Sequence, residues 1–319
     1  MFLPSVLTIA LIALGSVATL YIVSSWALAR LWCKPKRLPI TKTPADFKLS
    51  FEAIQFSSHG VPIQGWFIPA ARNASLQPVL VLAHGWCTNA AELLLLARVL
   101  HKANFALLLY DARGHGDSGD DGPITILKLA EDIVAGVDYL ATRTDIDTSR
   151  LGVLGRSLGG SAAIVAASRE RRIRAVVSCS AFADPKALTR DFLAMLHVPA
   201  RLFSRPVFRF IERWLKTTMD DVAPQNRVGQ ITAPLLLIHG AADRYIRPSN
   251  LETLYARAPR ERTQRLLVPN RGHSDVLRDV KCGQEIVAFF RRNLLPDGYP
   301  VAPESDLLTQ VEWEQAEAK

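Results

Sequence analysis

A serine flanked by glycines stands between an apolar run and a run of small residues. Gly155, Ser157 and Gly159 form the pattern Gly-x-Ser-x-Gly, preceded by a strand-like run (150–154) and followed by Ala and Val at helical spacing (158–168). A serine on such a strained turn needs positions nearly free of side chain two residues away on either side. The free N–H groups of the following helix favour a developing anion. The segment therefore predicts a serine nucleophile.

The amino-acid composition limits which classes of binding partner the protein could have. The chain has 319 residues, 49% of them hydrophobic, which is enough for one large α/β domain with an appendage. The net charge of +8 is compatible with nucleic acid, an anionic membrane surface or an acidic substrate. The sequence has no Cys/His zinc spacing and no basic run interleaved with aromatic residues, so we expect no nucleic-acid partner. The four scattered cysteines suggest no disulfide framework and favour a reducing compartment.

The N-terminal stretch lacks charge. Residues 2–29 contain no charged side chain and are long enough, at about 1.5 Å per residue, to cross about 30 Å of hydrocarbon. A cleaved signal peptide is the competing interpretation, but the chain has no basic residue at its start. We therefore predict a single-pass transmembrane anchor over residues 1–33. The basic residues that follow (Arg30, Lys34, Lys36, Arg37 and Lys42) predict that the rest of the chain is cytoplasmic.

Beyond a proline-containing linker (34–49), strands alternate with helices. Strand-like runs cover residues 50–57, 61–68, 78–83, 105–110, 150–154, 173–179, 234–238 and 265–268, and helical patterns cover 90–102, 126–141, 158–168, 249–258 and 282–294. This alternation predicts an α/β domain over residues 50–295, with a mostly parallel central sheet and helices on both faces. The remaining residues, 296–319, form an acidic tail.

The alternation stops between residues 184 and 230. Two helical stretches, near 188–197 and 206–217, stand there, and we interpret the insertion as a helical lid over the strand ends. Four arginines recur every four residues across it: Arg201, Arg205, Arg209 and Arg213. Such a basic face beside an apolar one suits a helix lying on anionic headgroups. An ordinary amphipathic lid helix with a solvated basic side is the alternative.

Five segments together resemble the α/β-hydrolase superfamily. They are His84-Gly85-Trp86, the run 111–118, the run 155–160, the run 239–243 and Gly272-His273-Ser274, in the order and spacing that the family uses. The resemblance covers about residues 50–295 and implies the α/β-hydrolase fold. Within that superfamily, the chain resembles the membrane-anchored serine hydrolases that carry an N-terminal helix.

The resemblance implies three catalytic side chains. A serine hydroxyl needs a base within hydrogen-bond reach, and the base needs an orienting acid. On this fold the chain order is serine, acid, histidine. That order makes His273 the base for Ser157 and Asp243 the acid. Asp184, after the preceding strand, is the alternative acid, since some members of the family place theirs there.

The resemblance also implies an oxyanion hole made by backbone. The N–H of Leu158 follows the nucleophile, and the second donor is the N–H of Trp86, whose side chain also walls the acyl pocket. We expect His84 and the turn 111–115 to be structural. No metal and no nucleotide cofactor is implied. The glycines at 152, 155 and 159 could be mistaken for a dinucleotide-binding loop, but they lack its spacing.

The favoured interpretation is a membrane-anchored serine hydrolase that cleaves an ester or thioester of an acyl or lipid-type substrate. A serine peptidase or amidase on small peptides and an acyltransferase are the enzymatic alternatives, because the same three side chains serve them. A catalytically silent membrane scaffold is the alternative from another class.

Overall fold

An eight-stranded sheet forms the centre of the protein. The computed structural model describes residues 5–72, 76–296 and Tyr299. The strands are β1 (Glu52–Ser58), β2 (Val61–Ile68), β3 (Gln77–Ala83), β4 (Ala106–Tyr110), β5 (Ile146–Arg156), β6 (Ala175–Cys179), β7 (Leu235–Gly240) and β8 (Thr263–Val268). Their order in space is β1-β2-β4-β3-β5-β6-β7-β8. The fold is the predicted α/β-hydrolase fold.

Strand direction follows the sequence patterns. β1 and β2 form an antiparallel hairpin closed at His59 and Gly60, both with positive φ. β2 is also antiparallel to β4, and every pairing from β4 to β8 is parallel. β3, β4, β6 and β7 are buried along their whole length, as their continuous apolar runs predict. The carboxyl ends of the parallel strands consequently share one edge of the sheet.

Helices cover both faces, as predicted. They are α1 (Val6–Trp32), α2 (Leu94–Lys102), α3 (Ile126–Ala141), α4 (Leu158–Ala167), α5 (Pro185–Met195), α6 (Ala200–Leu215), α7 (Pro224–Arg227), α8 (Ser249–Arg257) and α9 (Val280–Leu294). α3, α4 and α8 pack in one apolar core, and α2 and α9 pack in the core on the opposite face. Asn89 caps the short 3₁₀ turn that precedes α2, through a 3.1 Å hydrogen bond from the amide of Ala91.

The N-terminal helix α1 is long and apolar. Its 27 residues meet the length and hydropathy of a membrane span, which is also true of some signal sequences. Most of its large apolar side chains are exposed, because no other part of the described chain covers them. Ser25, Ala29 and Cys33 are buried, and their spacing of four forms one stripe along the helix. The second half of α1 therefore packs against the rest of the protein.

The predicted linker lies against the α/β domain. It contains a 3₁₀ turn, Pro44–Phe47. The guanidinium of Arg37 donates to the carbonyl of Gly116 at 3.0 Å, and the side-chain amide of Asn89 donates to the carbonyl of Pro39 at 3.1 Å. The segment that leaves α1 is thus fixed to the two loops that follow β3 and β4.

The helices of the 184–230 insertion begin earlier than the sequence pattern predicts. α5 begins at Pro185, and α6 begins at Ala200 and continues through Pro206. A proline inside a helix leaves the carbonyl four residues earlier without its usual N–H donor. Here that carbonyl belongs to Leu202, and it accepts a hydrogen bond from the Tyr21 hydroxyl at 2.6 Å. The contact with α1 thereby compensates for the proline.

The predicted acidic tail, 296–319, lies outside the described residues except for Pro296 and Tyr299.

Candidate active site

Ser157 lies on a strained turn between β5 and α4. Its φ of 54° and ψ of −119° are unusual for a residue with a side chain. A Cβ built on Gly155 would collide with the Gly159 carbonyl, and one on Gly159 would collide with the carbonyls of Ala83 and His84. The two glycines are therefore required by close backbone approach, as the Gly-x-Ser-x-Gly pattern predicts.

The structure brings Ser157, His273 and Asp243 together. His273 Nε2 lies 2.9 Å from Ser157 Oγ, and His273 Nδ1 lies 2.7 Å from Asp243 Oδ2. Asp243 follows β7 and His273 follows β8, so both stand at the edge of the sheet where β5 delivers Ser157. The alternative acid, Asp184, instead accepts from the amide of Lys186 at 2.8 Å and caps α5.

Asp243 is buried but remains ionised. Burial opposes its charge, but hydrogen bonds from His239 and His273 and from the amide of Ile246 outweigh burial and hold the pKa of Asp243 well below its usual range. An ionised carboxylate only accepts, so Nδ1 of His273 carries the proton and Nε2 is free to accept from the serine hydroxyl. This tautomer is the one that a general base requires.

His239 is a partner of Asp243 that sequence reasoning missed. Its Nε2 donates to the Ile246 carbonyl at 2.7 Å and lies 3.3 Å from Asp243 Oδ2. The sequence analysis assigned no role to this histidine. Its position four residues before Asp243, at the end of a strand, was the only local signal.

His84 orients the loop that carries Trp86. Its Nε2 accepts from the Ala112 amide at 2.9 Å, so its Nδ1 carries the proton and donates to the Gly85 carbonyl at 2.8 Å. Burial lowers the pKa of His84 to about 4, which keeps the ring neutral. The bond to Gly85 fixes the peptide whose N–H belongs to Trp86.

Arg156 and Glu92 connect the loops on either side of Ser157, and sequence reasoning missed both. Glu92 accepts from the Gly85 amide at 3.1 Å and pairs with the guanidinium of Arg156. The same guanidinium donates to the His273 carbonyl at 2.9 Å. Arg156 is buried, as expected for a charge that is paired on two sides. The pair thus links the loop that carries Trp86 to the loop that carries His273.

The run 111–118 makes structural contacts. Asp111 accepts from the amides of Ala90 and Asp117, at 2.8 and 3.0 Å. The buried guanidinium of Arg113 lies 2.7 Å from the buried carboxylate of Asp132 on α3. These bonds hold the turn after β4.

An apolar cavity of about 200 Å³ reaches Ser157. Trp86 and Leu158 line it beside the serine, and Leu188, Ile211 and Leu215 line it from α5 and α6. Trp32 and Cys33, from the end of α1, also line it. The sequence analysis placed these two residues in the anchor and gave them no part in the site. Cys87, next to Trp86, accepts from the Lys36 amide at 3.2 Å.

Within residues 5–72 and 76–296, no cluster of three or more His, Cys, Asp or Glu side chains could hold a metal ion.

Comparison with known proteins places the chain in a family. A family described as serine aminopeptidase, S33, matches residues 74–224. The α/β-hydrolase domain-containing protein WAV2 of Arabidopsis thaliana is 31% identical over 253 residues, which are 75% of this chain and 77% of that protein. The chain belongs to the α/β-hydrolase family. Another relative of this α/β hydrolase, the uncharacterized protein YfhR of Salmonella typhimurium, is 29% identical over 73% of this chain and 76% of its own length.

Solved structures share the fold of this α/β hydrolase. An esterase of Pyrococcus furiosus superposes with a TM-score of 0.65 at 22% identity, covering 82% of this chain and 99% of the esterase. A puromycin-hydrolyzing peptidase of Mycobacterium tuberculosis superposes with a TM-score of 0.64 at 18% identity, covering 83% of this chain and 42% of the peptidase. At 22% and 18% identity, these superpositions show that the fold is shared.

Proposed function

We propose that the protein is a membrane-anchored serine hydrolase that cleaves the ester or thioester bond of an acyl substrate. One observation carries this proposal: Ser157, His273 and Asp243 form a continuous hydrogen-bonded chain at an apolar cavity. The arrangement satisfies the requirement that a weak serine nucleophile have a base in contact and that the base be held by an acid.

In the proposed mechanism, the Ser157 hydroxyl attacks the substrate carbonyl carbon while His273 Nε2 takes the hydroxyl proton. The bond to the leaving oxygen or sulfur breaks, and the imidazolium returns that proton to the leaving group. Water then attacks the acyl-enzyme with His273 again as base, which releases the acid and regenerates the serine. Asp243 remains ionised throughout and stabilises the imidazolium.

The backbone N–H groups of Trp86 and Leu158 are the proposed oxyanion donors. Leu158 is the first residue of α4, so its N–H has no acceptor one turn earlier in the same helix. His84 holds the Gly85 carbonyl, which sets the orientation of the Gly85–Trp86 peptide. Each donor in such a hole contributes about 10²–10³-fold to kcat.

The cavity favours an acyl substrate over a peptide with a free amino terminus. Such a peptide needs a carboxylate to bind its ammonium group, because a buried unpaired charge is costly. Among the residues that the structure describes, the cavity lining includes no Asp or Glu. A peptidase, although the family name and one solved neighbour point to it, therefore ranks second. An acyltransferase, in which another hydroxyl or thiol replaces water, uses the same acyl-enzyme.

The anchor and lid complete the proposal. α1 would span the membrane as a single-pass anchor, with the basic segment after it and the catalytic domain on the cytoplasmic side. The 184–230 insertion would act as a lid, because α5 and α6 cover the cavity next to Ser157. Arg201, Arg205, Arg209 and Arg213 are exposed along α6 and are available to anionic headgroups.

Fluorophosphonate labelling of the purified protein tests the chemistry. We expect wild-type protein to be labelled covalently and Ser157→Ala not to be labelled, with ester hydrolysis reduced roughly 10⁴–10⁶-fold. Ser161→Ala is the matched control, because Ser161 is buried one turn into α4 and bonds to Phe182. Equal labelling of wild type and Ser157→Ala would contradict the proposal, and no labelling of either would favour a silent scaffold.

A substrate panel separates the two hydrolase classes. We expect p-nitrophenyl esters of increasing chain length to be hydrolysed with kcat/KM rising with chain length, because each buried methylene adds about 0.8 kcal/mol. Aminoacyl anilides should be poor substrates. A preference for the anilides would replace the esterase assignment by the peptidase one.

Protease protection in sealed vesicles tests the orientation. Protein inserted in right-side-out membranes should lose its catalytic domain to protease only after the membrane is opened. Cleavage in intact vesicles would place the domain on the outer side.

A further inference from the structure

We propose that the last turn of α1 is a wall of the substrate cavity, and that this cavity takes the aliphatic acyl chain of the substrate. The inference rests on the proposed function and goes beyond it, because it makes the anchor part of the binding site. Trp32 and Cys33 line the same cavity as Ser157. An anchor that only tethered the domain would not contribute side chains there.

Three contacts hold this wall to the catalytic loops. The Trp32 ring lies 4.3 Å, centroid to centroid, from Phe192 on α5. The Cys33 carbonyl accepts from the Ile124 amide at 2.8 Å, and Ile124 itself lines the cavity. Three residues later, the Lys36 amide donates to Cys87, the neighbour of Trp86. The chain on either side of Cys33 is therefore bound to the lid, the cavity and the proposed oxyanion loop.

The preceding turns of α1 hold this wall in place. The buried stripe of Ser25, Ala29 and Cys33 has small side chains, which let helices approach closely. Tyr21 donates to the Leu202 carbonyl at 2.6 Å and packs on Phe203. α1 thus contacts α6 at Tyr21 and is buried along the stripe that runs down to Cys33, and this packing sets the position of Trp32.

The chemistry of the cavity identifies the ligand class. Among the described residues that line it, none is Asp, Glu, Lys, Arg or His. The side chains there that can hydrogen-bond are Ser157, Thr125, Cys33 and the two tryptophans. Leu188, on α5, and the α6 side chains complete the apolar lining. A surface of this kind gains free energy chiefly by covering apolar groups. The group that fits beyond the reacting carbonyl is a hydrocarbon chain.

Labelling with two fluorophosphonates tests the wall. One carries an ethyl group and the other a dodecyl chain, and the readout is the ratio of their labelling rates at Ser157. We expect Trp32→Ala to lower the dodecyl-to-ethyl ratio at least tenfold and Trp32→Phe to keep it within threefold. Trp26→Ala is the matched control, because Trp26 lies on the same helix with 44% of its surface exposed, outside the cavity lining. Its ratio should equal that of wild type.

A second variant covers the case in which Trp32→Ala does not fold. Cys33→Met puts a larger side chain into the cavity and should also lower the dodecyl rate more than the ethyl rate. An unchanged ratio in both variants, or an equal loss of both rates, would overturn the inference. Failure of the proposed function is a separate outcome, seen as labelling that persists in Ser157→Ala or as no labelling of the wild-type protein.

Discussion

Asp243 is a buried carboxylate whose charge is stabilised from several sides. Its Oδ1 accepts from the amides of Tyr245 and Ile246, each at 2.9 Å, and its Oδ2 contacts His273 and His239. The backbone after β7 therefore curls around the carboxylate and fixes the oxygen that faces His273. A carboxylate held in this way keeps the imidazole in one tautomer and one orientation.

Replacing Asp243 with Asn should lower kcat by about 10⁴-fold, because the amide leaves His273 in the wrong tautomer. The measurement is steady-state hydrolysis of a p-nitrophenyl ester. Asp184→Asn is the matched control, since Asn preserves the N-cap of α5, and it should keep kcat within about twofold. A large loss in Asp184→Asn with little in Asp243→Asn would transfer the acid role to Asp184.

We expect Arg156 to act as a positioning residue for His273. Replacing it with Met removes the 2.9 Å hydrogen bond to the His273 carbonyl and the pair with Glu92. We expect kcat to fall about 10–100-fold with KM little changed, because small displacements of a catalytic group are costly. Arg150→Met, on the same strand, is the control, because Arg150 pairs with Asp147 away from the site. A fall in apparent kcat that is fully accounted for by the loss of folded protein would contradict this role.

At the scale of elements, α1 and α6 are coupled through Pro206. The Tyr21 hydroxyl bonds to the Leu202 carbonyl that Pro206 leaves without an N–H donor. We expect Tyr21→Phe to destabilise the protein by about 1 kcal/mol. In a Pro206→Ala background the helix supplies its own donor, so the same change should cost clearly less. Thermal unfolding of the four proteins of this double-mutant cycle in detergent measures the coupling, and additive effects would contradict it.

The sequence could predict elements whose residues carry a local signal. A strand buried on both faces requires a continuous apolar run, and a tight turn requires glycines. The runs of β3 and β4 and the glycines around Ser157 therefore predicted the sheet and the turn. The resemblance to the α/β-hydrolase superfamily, with its chain order of serine, acid and histidine, predicted that Ser157, Asp243 and His273 act together. The start of α6 and the place of Trp32 in the cavity could not be predicted, because both depend on packing between segments about 170 residues apart.

At the scale of the whole molecule, Asp243 makes stability depend on pH. Its folded-state pKa lies below its unfolded value, so the folded protein binds fewer protons at acid pH than the unfolded chain. The stabilisation is present above the unfolded pKa of about 3.9 and is lost as pH falls through the lower folded pKa.

Asp243→Asn should therefore be less stable than wild type by about 1–3 kcal/mol at pH 7. The difference should narrow as pH falls below about 4. Thermal unfolding of both proteins at pH 7 and at pH 3 measures it. A difference that is equal at the two pH values would show that the carboxylate charge contributes nothing to folding.

The packing of α1 on α6 also determines how the molecule can move. The chain is held to the body of the protein at Tyr21, on α1, and again at Lys36, beyond the helix. If α1 spans a membrane as proposed, no free tether separates the bilayer from Ser157. With α1 in a membrane, the site around Ser157 would keep a constant distance from the bilayer surface and a constant orientation relative to it. Encounters would then be governed by lateral diffusion in two dimensions, and the reach of the enzyme would be a thin layer at the bilayer surface.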